Sequence, residues 1–265
     1  MKAQLNFSPH IFAYVEDYTI RANEVDRYGQ SSLTTFINIY QEAAINHAKK
    51  LGLDLLDIAK DNLTWVLSRI YLEVERFPLW REVVYIHTWP VDSAEKFAIR
   101  DFEFFDSNGK KIAAGASSTM LMDLTTRRAV GIDPYIGNIS LSKVRAVDHQ
   151  FSQLSLETSR NNLHNKVSLT VRRSDMDING HVNATQYVNW ALEGVDDEFY
   201  KKNVLSQFEI AYRREAFRGD HVGTVVYSFD TDSLIHEITR KKDNKELAKC
   251  VSTWKKRSSA SIQRP

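Results

Sequence analysis

Phe36-Ile-Asn-Ile-Tyr-Gln-Glu-Ala-Ala-Ile-Asn-His47 and Tyr187-Val-Asn-Trp-Ala-Leu-Glu-Gly-Val195 carry one pattern twice. In the first, Phe36, Ile39, Tyr40, Ala43, Ala44 and His47 fall at i, i+3, i+4, i+7, i+8 and i+11, a single helical face. Tyr187, Trp190, Ala191, Gly194 and Val195 follow the same spacing in the second. One offset of 151 carries Phe36 to Tyr187, Ile39 to Trp190, Glu42 to Glu193, Ala43 to Gly194 and Asp26 to Asp177. Ser32 is the expected N-cap of the first helix, and Lys49, Lys50 and Gly52 its stop signal. Asn183 with Gln186 reads as a capping box for the second. The small residue on each face, Ala43 or Gly194, suits a helix pressed closely onto a sheet.

Working outward, each helix is followed by a run of strand-like segments. The first half offers 63–74, 83–89, 97–105 and 111–122, with Asn108-Gly109 as a tight hairpin turn. The second offers 208–213, 222–229, 235–240 and 247–255. Leu67-Ser68 matches Leu205-Ser206 at a smaller offset of 138, which implies extra residues between helix and strand in the first half, where LDLLDIAKDN lies. Each half is therefore one strand, one long helix and about four antiparallel strands. Long helices without βαβ alternation predict an α+β fold, a tandem double hotdog in which each half wraps a curved antiparallel sheet around a long central helix. The expected domains are 1–136 and 165–265, joined by a linker over 137–164.

The chain has 265 residues, 43% hydrophobic and 26% charged, enough for two cores. A net charge of +1 gives no general electrostatic case for nucleic acid, and no apolar run approaches the ~20 residues that span a bilayer. The N-terminus lacks the apolar core of a secretory signal. Cys250 is the only cysteine, so no internal disulfide or multi-cysteine metal site can form. A cytoplasmic globular enzyme or binding protein is expected.

Between a strand expected over 167–172 and the second helix lies Ser174-Asp-Met-Asp-Ile-Asn-Gly-His-Val-Asn183. At a helix N-terminus, free N–H groups and the helix dipole favour developing negative charge. A thioester carbonyl there would have its oxyanion stabilised while Asp177, or a water it activates, attacks. Three other readings compete. Asp, Asn and Gly before a helix are ordinary turn chemistry. Asp175-x-Asp177-x-Asn179-Gly180 opens like a calcium loop, although the twelfth position is Gln186 rather than the bidentate glutamate. His181 also suits a histidine bonded only to backbone. At the offset of 151, Asp177, Asn179 and His181 correspond to Asp26, Tyr28 and Gln30, so the second half alone keeps the whole set.

These residues resemble a known family. Asp175 to Val188 with Trp190 and Glu193, together with Gln41 to Ala44, Asn46-His47, Asn62 to Val66, Arg76-Phe77-Pro78, Trp80, Thr126-Arg127-Arg128 and Tyr212 to Glu215, resemble the acyl-acyl carrier protein thioesterases of plants and bacteria. The resemblance spans nearly the whole chain. It implies a tandem hotdog that hydrolyses fatty acyl-carrier protein and releases free fatty acid, ending chain elongation. The acyl chain then lies in the first domain and the chemistry in the second. It assigns catalysis to Asp177, Asn179, His181 and Glu215, with Asp177 as nucleophile or base and Glu215 helping to activate water. No cofactor or metal is implied. The partner would be acyl carrier protein, with no nucleic acid and no membrane, and the chain a monomer or homodimer. Because carrier protein is acidic, a basic docking face is expected, from Arg172 and Arg173, Arg240 to Lys242, or Lys255 to Arg257. Plant members carry a cysteine directly after the glutamate. Here that position is Ala216, which favours carboxylate chemistry over a thiol nucleophile. The alternatives are an acyl-coenzyme A thioesterase and a non-catalytic acyl-binding hotdog module.

Overall fold

The computed structural model describes residues 13–94, 96–151, 162–177 and 180–257. The chain divides into two compact units, the first ending at Gln150. The first contains β1 (Tyr14–Thr19), α1 (Leu33–Lys50), α2 (Leu55–Ala59), β2 (Leu63–Val74), β3 (Val83–Ala94), β4 (Phe97–Asp106), β5 (Lys111–Asp123), β6 (Ala129–Val130) and α3 (Asp133–Ile136). Its strands pair in the order β1-β3-β4-β5-β2, with β6 on β5. The second contains β7 (Leu163–Thr170), α4 (Ala184–Glu193), α5 (Asp197–Lys202), β8 (Asn203–Tyr212), β9 (His221–Ser228), β10 (Ser233–Arg240) and β11 (Lys245–Lys256), paired β8-β11-β10-β9-β7. Matched element for element, the two orders are the same antiparallel order. This is the α+β hotdog arrangement expected from the sequence.

The internal match survives in fine detail. In β2 the register against β5 slips between Leu67 and Arg69, so Ser68 is a bulge. In β8 the partner of Leu205 is Trp254 and that of Gln207 is Thr253, so Ser206 is the bulge there. The two serines paired at the offset of 138 are thus the two points where a long strand bends.

The helices differ more than the sequence suggested. α1 runs for 18 residues from its Ser32 cap, but α4 stops after 10 because Gly194 is its C-cap. Gly194 is therefore past the helix end rather than mid-face. It does mark a close approach: a Cβ there would stand 2.6 Å from Val226 Cγ2 on β9. Much of the extra length in the first half consequently lies in the last turns of α1, beyond the LDLLDIAKDN segment alone. Strand ends also move: the strand expected over 167–172 is Leu163–Thr170.

α1 buries Phe36, Ile37, Ile39, Tyr40 and Ala43, each large apolar side chain contributing roughly 1.5–3 kcal/mol. Phe36 meets Phe104 edge-on at 4.7 Å, and Tyr40 stacks on Phe102 at 4.0 Å. The Tyr40 hydroxyl bonds Ser117 on β5. The stretch expected to link the halves is itself divided. Ser142 donates to the Pro90 carbonyl at 3.0 Å, Arg145 reaches the buried Asp101 at 2.9 Å, and His149 stacks on Tyr71 at 3.8 Å. Residues 152–161 lie outside the described residues, and β7 begins at Leu163. No helix among the described residues is long and apolar enough to cross a membrane.

Candidate active site

β7 leads through a single 3-10 turn, Arg173–Asp175, into the segment before α4. There Met176 and Val182 form a bridge that closes a tight loop. The Asp177 N–H donates to the His181 carbonyl at 2.7 Å, the Gly180 N–H to the Asp177 carbonyl at 3.1 Å, and the His181 N–H to Asp177 Oδ1 at 3.0 Å. Gly180 sits at φ +75°, where a glycine is favoured. Asn179, assigned a catalytic role from the sequence, lies outside the described residues.

The same loop stands in the first unit. The Asp26 N–H donates to the Gln30 carbonyl at 2.8 Å, the Gly29 N–H to the Asp26 carbonyl at 3.0 Å, and the Gln30 N–H to Asp26 Oδ1 at 3.2 Å. The aspartate common to both halves therefore has a turn-building role in each. What distinguishes the second loop is the imidazole on it and the acid that faces it.

That acid is Glu215, on the loop between β8 and β9. Its Oε1 lies 3.7 Å from His181 Nε2, with the two side chains 33% and 28% exposed. The gap is longer than a direct hydrogen bond and within ion-pair reach; catalytic contacts of this kind often tighten only with substrate. Phe217 meets the His181 ring edge-on at 5.7 Å. In the first unit the matching positions are Phe77 and Gln30, so no acid faces an imidazole there.

The Glu215 loop is fastened from several sides. The Val182 N–H donates to the Ala216 carbonyl at 3.3 Å, tying it to the Asp177 loop. Arg240 donates to the Glu215 carbonyl at 3.2 Å and reaches Asp243 at 2.8 Å. Asp220 accepts from the Phe217 N–H at 3.1 Å and from Lys242 at 2.6 Å. Burial works against the Asp220 carboxylate, but Lys242, the Phe217 N–H and Arg240 outweigh it and hold its pKa below the usual range. Arg240 and Lys242, read from sequence as docking candidates, are thus part of the frame of the site.

Two further expectations change. The Thr185 N–H is taken by Asn183 Oδ1 at 3.0 Å, and the Gln186 N–H by the Asn183 carbonyl at 2.9 Å. These first-turn amides of α4 are occupied and do not form the expected oxyanion cradle. Nor is Gln186 the second half of a capping box; its side chain accepts from Asn189 at 3.1 Å. Cys250 is fully buried on β11, and burial pushes its thiol well above the ordinary value. A thiolate nucleophile has no place here. The residue that sequence reasoning left as mere helix packing is Tyr187, whose hydroxyl meets the Glu215 loop. The signal was its alignment with Phe36, which lacks a hydroxyl.

The family model for the acyl-ACP (acyl carrier protein) thioesterase N-terminal domain matches residues 12–139, and that for the C-terminal domain matches 158–256. The chain is 32% identical over 221 residues to the chloroplastic dodecanoyl-acyl-carrier-protein hydrolase of Cinnamomum camphora, covering 79% of this chain and 58% of that protein. It therefore spans less than two thirds of that relative's length. It is 27% identical over 256 residues to oleoyl-acyl carrier protein thioesterase 2 of Arabidopsis thaliana, covering 86% of this chain and 66% of that one. Among solved structures, the 12:0-ACP thioesterase of Umbellularia californica superposes with a TM-score of 0.81 at 27% identity, over 95% of this chain and 100% of that one.

Proposed function

The chain belongs to the acyl-ACP thioesterase family, and on that premise we propose that it hydrolyses fatty acyl-carrier protein to a free fatty acid. The observation that carries this reading is the meeting of His181 with Glu215 beside Asp177 in the second unit, where the matching first-unit positions hold Gln30 and Phe77. Water adds to the thioester carbonyl, the C–S bond breaks, and the carrier thiol leaves with a proton. Asp177 either aims the water at the carbonyl or attacks first, expelling the thiolate and leaving an acyl-aspartyl anhydride that the water then opens. His181 orients Asp177 and the thioester, and Glu215 accepts the proton of the water and passes it to the departing sulfur. Asn179 joins this set by the family resemblance. Ending acyl elongation in fatty acid biosynthesis is the corresponding role.

The reading is tested by incubating the protein with panels of acyl-carrier proteins and acyl-coenzyme A thioesters of graded chain length and measuring free acid. Release from the carrier-protein panel with much lower kcat/KM on coenzyme A thioesters is the expected result. Higher kcat/KM on coenzyme A thioesters would replace it with the acyl-coenzyme A reading. Absence of hydrolysis on both would leave a binding module.

For docking, Arg172 and Arg173 are exposed beside the active loop; their backbone builds the turn that enters it, and their guanidinium groups are the candidates for contact with a carrier protein. Reversing both to glutamate is expected to raise KM for acyl-carrier protein severalfold with kcat unchanged. The effect should shrink as salt rises from low to physiological, where the screening length falls to about 8 Å. An unchanged KM at low salt would exclude this face.

A further inference from the structure

We propose that the Tyr187 hydroxyl is a positioning residue for Glu215, fixing the direction in which that carboxylate leaves the backbone; the inference rests on Glu215 acting as proposed above. The hydroxyl accepts from the Ala216 N–H at 2.8 Å and donates, over a longer 3.5 Å, to the Arg214 carbonyl. These groups belong to the two peptide planes on either side of the Glu215 Cα. Peptide planes are rigid, so holding both leaves the φ and ψ of Glu215 little freedom. Arg240 holds the second plane at its opposite edge through the Glu215 carbonyl at 3.2 Å. Tyr187 is itself immobile: it is buried and packed against Trp190 at 4.9 Å and Tyr212 at 5.7 Å. Burial pushes its phenol up to about 12, with the Ala216 N–H opposing and Glu215 adding to the rise. It stays protonated at any working pH and can serve as donor and acceptor at once.

The first unit supplies an internal control. There the acid is replaced by Phe77, the hydroxyl by Phe36, and Ala216 by Pro78, which has no N–H to satisfy. Phe36 and Phe77 simply pack together, ring centroids 5.7 Å apart. The Leu79–Glu82 bonds that follow still mirror those of Phe217–Asp220: an N–H to a carboxylate at 3.0 and 3.1 Å respectively. So the loop forms without the hydroxyl, and the hydroxyl occurs in the half that has a carboxylate to aim. A purely structural role would also satisfy the buried Ala216 N–H, and it makes a different prediction.

The experiment is a cycle of wild type, Tyr187→Phe, Glu215→Gln and the double variant, assayed on the acyl-carrier protein that the wild type turns over fastest, with thermal unfolding of each. Phenylalanine already stands at this position in the first unit, so Tyr187→Phe should fold. Its kcat is expected to fall about tenfold with KM within about twofold, as for misplacement of a reacting group. In the Glu215→Gln background the same change should alter kcat by less than about twofold, because the group it aims is gone. A lowered Tm with wild-type kcat, or equal losses of kcat in both backgrounds, overturns the inference while Glu215→Gln remains impaired. Glu215→Gln at wild-type kcat overturns the role of Glu215 and this inference together.

Discussion

Asp177→Asn is expected to lower kcat on acyl-carrier protein by about 10²–10⁴-fold, the range for losing a positioned base, while the protein stays folded. The choice of asparagine follows from the loop. Asp177 Oδ1 accepts the His181 N–H at 3.0 Å, and a side-chain amide oxygen can accept the same bond. Asp177→Ala removes both the charge and that acceptor, so it adds a stability cost of about 1 kcal/mol that would blur the kinetics. Asp26 provides the matched control, since it makes the same bond to Gln30 at 3.2 Å in a loop with neither histidine nor an opposing acid. Asp26→Asn should leave kcat unchanged within about twofold and shift Tm no more than Asp177→Asn does. If Asp177→Asn releases free acid at the wild-type rate, this carboxylate is a turn former in both halves and the chemistry lies elsewhere.

The largest expected effect on stability is at Gly115 in β5. Its neighbours across the ladders are Leu72 and Phe102, and the Phe102 ring lies over it. A Cβ there would stand 2.3 Å from the Tyr71 carbonyl oxygen and 2.4 Å from Phe102 Cζ. The first is backbone and cannot yield. The second can move only by giving up the 4.0 Å stack with Tyr40 that seats α1 on the sheet. Gly115→Val should therefore cost about 3 kcal/mol or more, at the upper end for overpacking. For a protein of this size that lowers Tm by roughly 6–12 °C, read by thermal unfolding. Gly180→Ala differs in kind: nothing lies within 4 Å of its Cβ position, and its cost comes only from φ +75°. A Gly115→Val protein melting with the wild type would mean that α1 is seated by other contacts.

How much was legible in advance varies with the range of the interaction. The repeat was readable because helix periodicity and alternating strands are written over a few neighbouring residues, and the Ser68 and Ser206 bulges fell where the two copies aligned. Helix length was not: Gly194 fits an apolar face as well as it fits a C-cap, and only its close approach to Val226 shows why it stays small. The oxyanion reading loses the Thr185 and Gln186 amides for a local reason, since Asn183 takes both in capping its own helix. Arg240 looked like a surface charge because its acceptors are the Glu215 carbonyl and the carboxylates of Asp220 and Asp243. Of these, only Asp243 is near it in the chain.

By itself, the sequence determined the two halves, their strand and helix order, and the loop around Asp177, all of which follow from short-range periodicity and turn chemistry. The matches to the two acyl-ACP thioesterase domains then gave the family. Only the tertiary structure decided that Glu215 faces His181, that Tyr187 and Arg240 hold the backbone of that acid, and that Cys250 is sealed in the core. These depend on sheet register and on how a helix seats against its strands. Pairing of that kind joins residues far apart in the chain, and the local pattern that sets each segment leaves no trace of which distant partner it will meet.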